Sequence, residues 1–406
     1  MNDDNQIDDI DKSYKQELAA DGSKSGIEEE YHDPYPFDSE KISISPRRIS
    51  LSNVINRLQR RLIHAADLQR RADLWDIGKK SRLIESIMLK IPLPLFYAAE
   101  NRDDQLFIVD GLQRLSAIKG YVLDKKYKLK SLEFLNELEN KSFDEIPERM
   151  QIRINETELD FAIIGPDSPP GVQRNIFKRL NTGGLPLTEQ EIRHALYFGP
   201  VTELLARLVD TQEFKNAVSF SVKDSRMAAQ ELILRFLSFL IMNTGEYRKD
   251  DEMDSFLSDA MQILNKLIDP GFYSKNGMVL SAERKYSAIT VNEMEQKFFT
   301  AMTRAKELFA NCAFRITTPA KIKRGGWRSP INKSLFELWS VILSKMDQHK
   351  FDALNLKKEL LFEKLDAEFD DKNYVLRNYV GKDSLKVTGV KGRYETIERI
   401  IKDVLS

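Results

Sequence analysis

Apolar residues recur along this chain with two different periods, and the change from one to the other divides it. Over residues 51–63, Leu51, Val54, Ile55, Leu58 and Leu62 fall on one helical face, with Arg57, Arg60 and Arg61 on the other. Residues 80–90 predict a second helix with a buried stripe of Leu83, Ile84, Ile87 and Met88. Pro92 and Pro94 end it and begin the extended run LPLFYAA. The apolar run Leu106-Phe107-Ile108-Val109 breaks at Asp110-Gly111, after which Leu112, Leu115 and Ile118 return at helical spacing. That pattern is a strand, a tight glycine turn and a helix start. A charged helical stretch is expected near residues 130–139. Alternation over 151–164 (Ile152 and Ile154, then Leu159, Phe161 and Ile163) suggests a β-hairpin-like pair, closed by Gly165-Pro166 and Ser168-Pro169-Pro170-Gly171.

Past that point the period becomes helical throughout. Residues 172–180 read as helix, interrupted by Asn181-Thr182-Gly183-Gly184. Thr188-Glu189-Gln190-Glu191 has the spacing of a capping box, in which the Thr188 hydroxyl caps the helix and Glu191 reaches back. Helical periodicity then recurs over 188–198, 201–209, 226–242, 251–267, 291–312, 331–346, 355–367 and 393–405. The expected architecture is α+β: a small mixed α/β domain over 43–187 and a larger all-helical domain over 188–406. No internal repeat or coiled-coil heptad run is visible.

Charge adds a third part. The net charge of −1 conceals an asymmetry: residues 1–40 carry 13 Asp/Glu against 3 Lys/Arg, a net of −10, which leaves +9 on the rest. An acidic stretch without strong apolar clusters reads as a disordered tail over 1–42. The mildly basic body suits contact with nucleotide or DNA without proving a DNA-binding stripe. No run approaches the roughly 18 apolar residues of a membrane span, and the start is unlike a secretory signal. The single cysteine, Cys312, excludes a disulfide framework and suits a reducing cytoplasm. The four histidines, His32, His64, His194 and His349, are scattered, so a His-Asn-His nuclease cluster is not expected. Neither a Walker P-loop nor a G-x-S-x-G elbow occurs.

Three constellations carry candidate chemistry. At Asp110, Gly111, Gln113 and Arg114, backbone N–H groups at a helix start and a guanidinium would suit phosphate. There Gly111 permits close approach, Asp110 holds a metal ion or activates water, and Gln113 orients that water. The alternative is that Asp110 caps the helix and Arg114 pairs with a neighbouring acid. Gln69 and Arg70, ahead of Trp75, form the second group: an anion donor over a stacking surface, or a solvated basic turn with Trp75 in the core. Arg179, Asn181, Gly183 and Gly184 form the third, either a backbone nest for an anion or a plain helix C-cap.

In order and spacing these segments resemble one family. Gln69-Arg70 with Trp75, then Leu83-Ile84-Glu85-Ser86-Ile87 with Ile91-Pro92-Leu93-Pro94, then Ile108-Val109-Asp110-Gly111-Leu112-Gln113-Arg114, then Phe177-Lys178-Arg179-Leu180-Asn181-Thr182-Gly183-Gly184 with Glu191-Ile192-Arg193 are similar to the N-terminal domain of GmrSD-type, modification-dependent restriction proteins with a DGQQR signature. Arg226 and the stretch Glu231 to Arg235 are similar to a later motif, so the resemblance spans roughly residues 45–240. It implies a ParB/sulfiredoxin-like fold and a nucleotide (ATP, GTP or CTP) with Mg²⁺. Asp110, Gln113 and Arg114 would be the catalytic group and Asp110 the metal ligand. Gln69, Arg70, Gly111, Arg114, Arg179, Asn181, Gly183 and Gly184 would hold the nucleotide. The family couples nucleotide use to DNA cleavage by a His-Asn-His module, which would here come from a separately encoded nuclease. Leu112 stands where the signature has its first Gln, so binding is expected to survive better than turnover. The competing expectation is a non-enzymatic DNA-binding or scaffolding protein.

Overall fold

The computed structural model describes residues 44–64, 75–100, 104–165, 176, 188–224, 226–248, 253–271, 284–370 and 375–406. They divide between Phe198 and Gly199 into two compact units. The expected acidic tail lies outside the described residues.

The N-terminal unit is built on a five-stranded sheet: β1 (Ile44–Ser50), β2 (Ile63–His64), β3 (Phe96–Glu100), β4 (Leu106–Asp110) and β5 (Glu158–Ile164), in the spatial order β1-β5-β3-β4-β2. β1 is antiparallel to β5 and β3 to β4, whereas β3 runs parallel to β5 and β2 parallel to β4. Alternate residues of β4 serve opposite faces. Leu106 and Ile108 join a large core with Phe96, Ala98, Leu159, Phe161 and Ile163, while Phe107 and Val109 join a second with Ala99 and Ile164. The first core is covered by α1 (Leu51–Gln59), α2 (Ile77–Met88), α3 (Leu112–Val122) and α4 (Glu148–Glu156). The second is covered by α5 (Glu189–Leu196), through Ile192 and Ala195. This helix, assigned by its period to the helical domain, therefore packs on the sheet. Its N-terminus has the expected capping box, with the Glu191 N–H donating to Thr188 Oγ1 at 3.2 Å and the Thr188 N–H to Glu191 Oε2 at 2.7 Å.

Three local expectations are corrected. Residues 151–164 are not a hairpin: α4 precedes a single strand. Met150 and Ile154, four apart, are buried, while Ile152 is 47% exposed, so the helical period wins over the apparent alternation. Residues 130–139 hold only a 3₁₀ turn at Asn136–Leu138. Their N–H groups go to carboxylates instead: Ser131 and Leu132 donate to Glu139, and Glu133, Phe134 and Leu135 donate to the buried Glu85. Burial alone would raise the Glu85 pKa, but these backbone donors outweigh it and hold the carboxyl below its usual value. Finally, the first helix stops at Gln59, because Arg61 is left-handed (φ 57°) and Ile63–His64 turns into β2.

The C-terminal unit is almost entirely helical: α6 (Pro200–Val209), α7 (Gln212–Ala217), α8 (Ala228–Met242), α9 (Met253–Ile268), α10 (Val291–Phe309), α11 (Pro319–Lys323), α12 (Lys333–Lys345), α13 (Gln348–Leu356), α14 (Lys358–Asp370), α15 (Val375–Val380) and α16 (Val387–Leu405). Every residue of α8 from Ala229 to Met242 is buried, so this helix is the centre of the unit. Its one arginine, Arg235, meets Glu337 of α12 at 3.3 Å, and Arg393 of α16 binds the other oxygen of the same carboxylate. All three side chains are fully buried. Cys312 is buried, and burial pushes its thiol pKa up to about 11, which suits a packing role.

Candidate functional site

The strand–glycine–helix corner forms as its pattern predicts: β4 ends at Asp110, Gly111 turns the chain, and α3 starts at Leu112. Gly111 is the N-cap, with φ 96° and no side-chain cap. A Cβ there would also sit 2.4 Å from Cδ1 of Phe96 and 3.1 Å from a terminal nitrogen of Arg114. The glycine is required by packing as well as by backbone angle.

The reason is where Arg114 goes. Its guanidinium folds back over the Phe96 ring, 4.3 Å from the centroid, and donates to the carbonyl oxygens of Pro94 and, at 3.1 Å, Leu95. It also pairs with Asp110 Oδ2 at 3.0 Å. The side chain is only 12% exposed, whereas Asp110 is 41% exposed. Burial lowers the Arg114 pKa, and Asp110 partly opposes this. Arg114 thus clasps the lead-in to β3 onto the corner, with Asp110 at the solvent side of the clasp. The acid-pairing alternative for Arg114 is what this geometry shows.

Asp110, Gly111, Gln113 and Arg114 are therefore brought together. Leu112, beside them, is buried in the first core and presents no polar group to the corner. Gln69, Arg70, Arg179, Asn181, Gly183 and Gly184 lie outside the described residues. Trp75 packs against the first core, as the bland reading of that residue has it. The Asp110 carboxylate at the corner is engaged by Arg114. Among the described residues no group of three or more His, Cys, Asp or Glu comes together to hold a metal on its own.

Sequence reasoning overlooked the aromatic group on the other sheet face. His64 stacks on Phe107 at 4.8 Å and 9°, Phe198 lies 4.5 Å from His64, and His194 meets Phe198 edge-on at 5.8 Å. Burial pushes the His194 pKa down to about 4, with His64 adding repulsion, and burial also lowers His64. An unfolded histidine titrates near 6.5. Neutral His194 therefore stabilises the fold fully above about pH 6.5, and that contribution drains away as the pH falls toward 4. We expect NMR titration to show one histidine neutral down to about pH 4 and absent from His194→Phe. A value near 6.5 for that histidine would contradict the burial.

A mixed sheet helical on both faces, with a strand–glycine–helix corner, defines a compact α/β domain joined to a helical one. Residues 51–198 match the family described as GmrSD restriction endonuclease, N-terminal domain. The match covers nearly the whole N-terminal unit and stops where the helical unit begins. No curated protein and no solved structure matches the chain. Among the described residues no helix is long and apolar enough to cross a membrane.

Proposed function

We propose that this chain is the nucleotide-binding, switching component of a cytoplasmic restriction or anti-phage system, whose DNA cleavage is supplied by a separately encoded nuclease. The observation that carries the reading is the Asp110–Arg114 corner in a domain that matches the GmrSD N-terminal family. Asp110 would hold Mg²⁺ and Arg114 the phosphates of ATP, GTP or CTP, with Gly111 and the start of α3 facing the ligand. Gln69, Arg70, Arg179, Asn181, Gly183 and Gly184 would complete the cradle. A cation at Asp110 competes with Arg114 for that carboxylate, so metal and phosphate would share out a pair that is closed on itself without them. The apolar Leu112 supports binding and gating over turnover, with Asp110, Gln113 and Arg114 as the residues any hydrolysis would use.

Charge-assisted contacts contribute roughly 1.5–3 kcal/mol each, so three of them, less ordering costs, give an affinity on the order of micromolar. Arg114→Ala is expected to weaken nucleotide binding at least ~10-fold, which is about 1.4 kcal/mol, in calorimetric titration with Mg²⁺. Because Arg114 also clasps Pro94 and Leu95, thermal unfolding must be followed alongside. Unchanged affinity in a folded variant removes Arg114 from the site.

One observation favours direct DNA contact by the helical unit. Trp327 is 72% exposed on the turn after α11, within Lys321-Ile322-Lys323-Arg324-Gly325-Gly326-Trp327-Arg328. An exposed indole among cations is suited to stacking on a base. Arg324 is held by the buried Asp366, while Lys321 pairs with Asp370 at 2.8 Å and Lys323 with Glu359 at 3.0 Å, exposed pairs that contribute little and exchange readily for phosphate. Single-stranded DNA should quench tryptophan fluorescence, and Trp327→Ala should weaken its binding by about 1–3 kcal/mol. Equal binding by both proteins would discard the indole as a contact.

A further inference from the structure

The helical unit contains an open-mouthed cavity of about 670 Å³ between the ends of α8, α12 and α16 and the start of α13. That size is in the range of small-molecule sites. Its walls are apolar, supplied by Phe239, Val341, Ile342, Met346, Ile401 and Leu405. Tyr394 also lines it, and the Tyr394 hydroxyl is buried with no hydrogen-bond partner in the protein. That hydroxyl is sealed from the chamber, on the side of the buried Glu337 and Arg393, so Tyr394 contributes its ring to the wall.

Three ammonium groups line the same cavity: Lys345, Lys350 and Lys402. Lys345 and Lys402 occupy the last turns of α12 and α16, where a cation complements the helix end, so their presence needs no ligand. Lys350 has no such explanation. It lies in the first turn of α13, whose positive end disfavours a cation. Burial and the neighbouring Lys297 lower the Lys345 pKa, opposed only by Glu398, which is the one acidic side chain lining the cavity. Three exposed ammonium groups thus stand at the edge of an apolar chamber, beside one acidic side chain and Ser406.

We infer that this cavity is a binding site for a small organic anion with an apolar body. The body would rest on Phe239, the Tyr394 ring and the aliphatic wall, while the charged head meets the lysines. This site lies wholly within the helical unit and does not depend on nucleotide binding at Arg114.

The test uses the full chain and two dyes of nearly the same shape, anilinonaphthalene sulfonate and its neutral counterpart N-phenyl-1-naphthylamine. The sulfonate should bind one site per chain, at least about ten-fold tighter than the neutral dye. Lys345→Ala, Lys350→Ala and Lys402→Ala should each weaken the sulfonate about three- to ten-fold and leave the neutral dye unchanged. Ile342→Trp, which fills the cavity, should abolish the sulfonate site at an unchanged melting temperature. Arg114→Ala should have no effect on the sulfonate. Equal binding of the two dyes, indifference to the lysine substitutions, or a sulfonate site retained in folded Ile342→Trp would overturn the assignment.

Discussion

Glu337→Ala is expected to destabilise the helical unit by about 3–5 kcal/mol, the cost of removing one partner from a buried ion pair. Glu337 serves Arg235 and Arg393 at once, and all three side chains are fully buried. Arg393 further donates to the carbonyl oxygens of Ser384 at 2.7 Å and Tyr379 at 3.2 Å, and Arg235 approaches Glu231 at 3.3 Å. Those contacts hold the guanidinium groups in place but cannot neutralise both when the shared carboxylate is gone. In a unit of this size the loss should lower the melting temperature by roughly 10 °C. Glu337→Gln keeps the shape and one acceptor and should fall between. A shift of one or two degrees for the alanine variant would mean that the arginines find other acceptors and that the triad matters little.

Gly111→Ala should be nearly as damaging to the other unit. The left-handed backbone costs an L-residue roughly 1–2 kcal/mol, and forcing a methyl group into the Phe96 ring costs typically 1–3 kcal/mol more. The new Cβ lies 2.4 Å from one Phe96 carbon and 2.8 Å from the next, in a ring that stacks on Phe161 and carries Arg114, so it has little room to yield. We expect a loss of about 2–5 kcal/mol on those two grounds, read as faster hydrogen exchange across β3 and β4. Wild-type exchange rates in both strands would show that the corner is softer than its packing implies.

The elements that were legible in the sequence are those whose burial follows one period. α2, α8, α10 and α12 declare themselves through their apolar stripes, and β4 with Gly111 and α3 declares itself through a run, a glycine and a resumed helical spacing. β1 gives no such signal. Of its residues only Ile49 is buried, and Pro46, Arg47 and Arg48 read as loop, which an edge strand tolerates. Residues 130–139 look helical because their charges are spaced like a helix surface, yet their backbone donors are claimed by carboxylates, Glu139 within the stretch and Glu85 from α2.

The candidate site was legible in its position but not in its wiring. The spacing of Asp110 and Arg114 permits an i,i+4 pair, and that pair forms. Nothing local announces that Arg114 reaches back twenty residues to Pro94, or that Phe96 lies under it. Buried arginines such as Arg193, Arg235 and Arg393 are hidden for a related reason: their type predicts surface, and only the assembled fold supplies their acceptors.

The shared carboxylate of Glu337 also bears on how the chain is made. Arg393 follows Glu337 by 56 residues, so its counterparts Arg235 and Glu337 leave the ribosome before it. Until Arg393 emerges, the interior of the helical unit lacks one of its charges. Settling of that interior charge therefore waits on α16, and a translation product interrupted before it would leave the Glu337 carboxylate one arginine short.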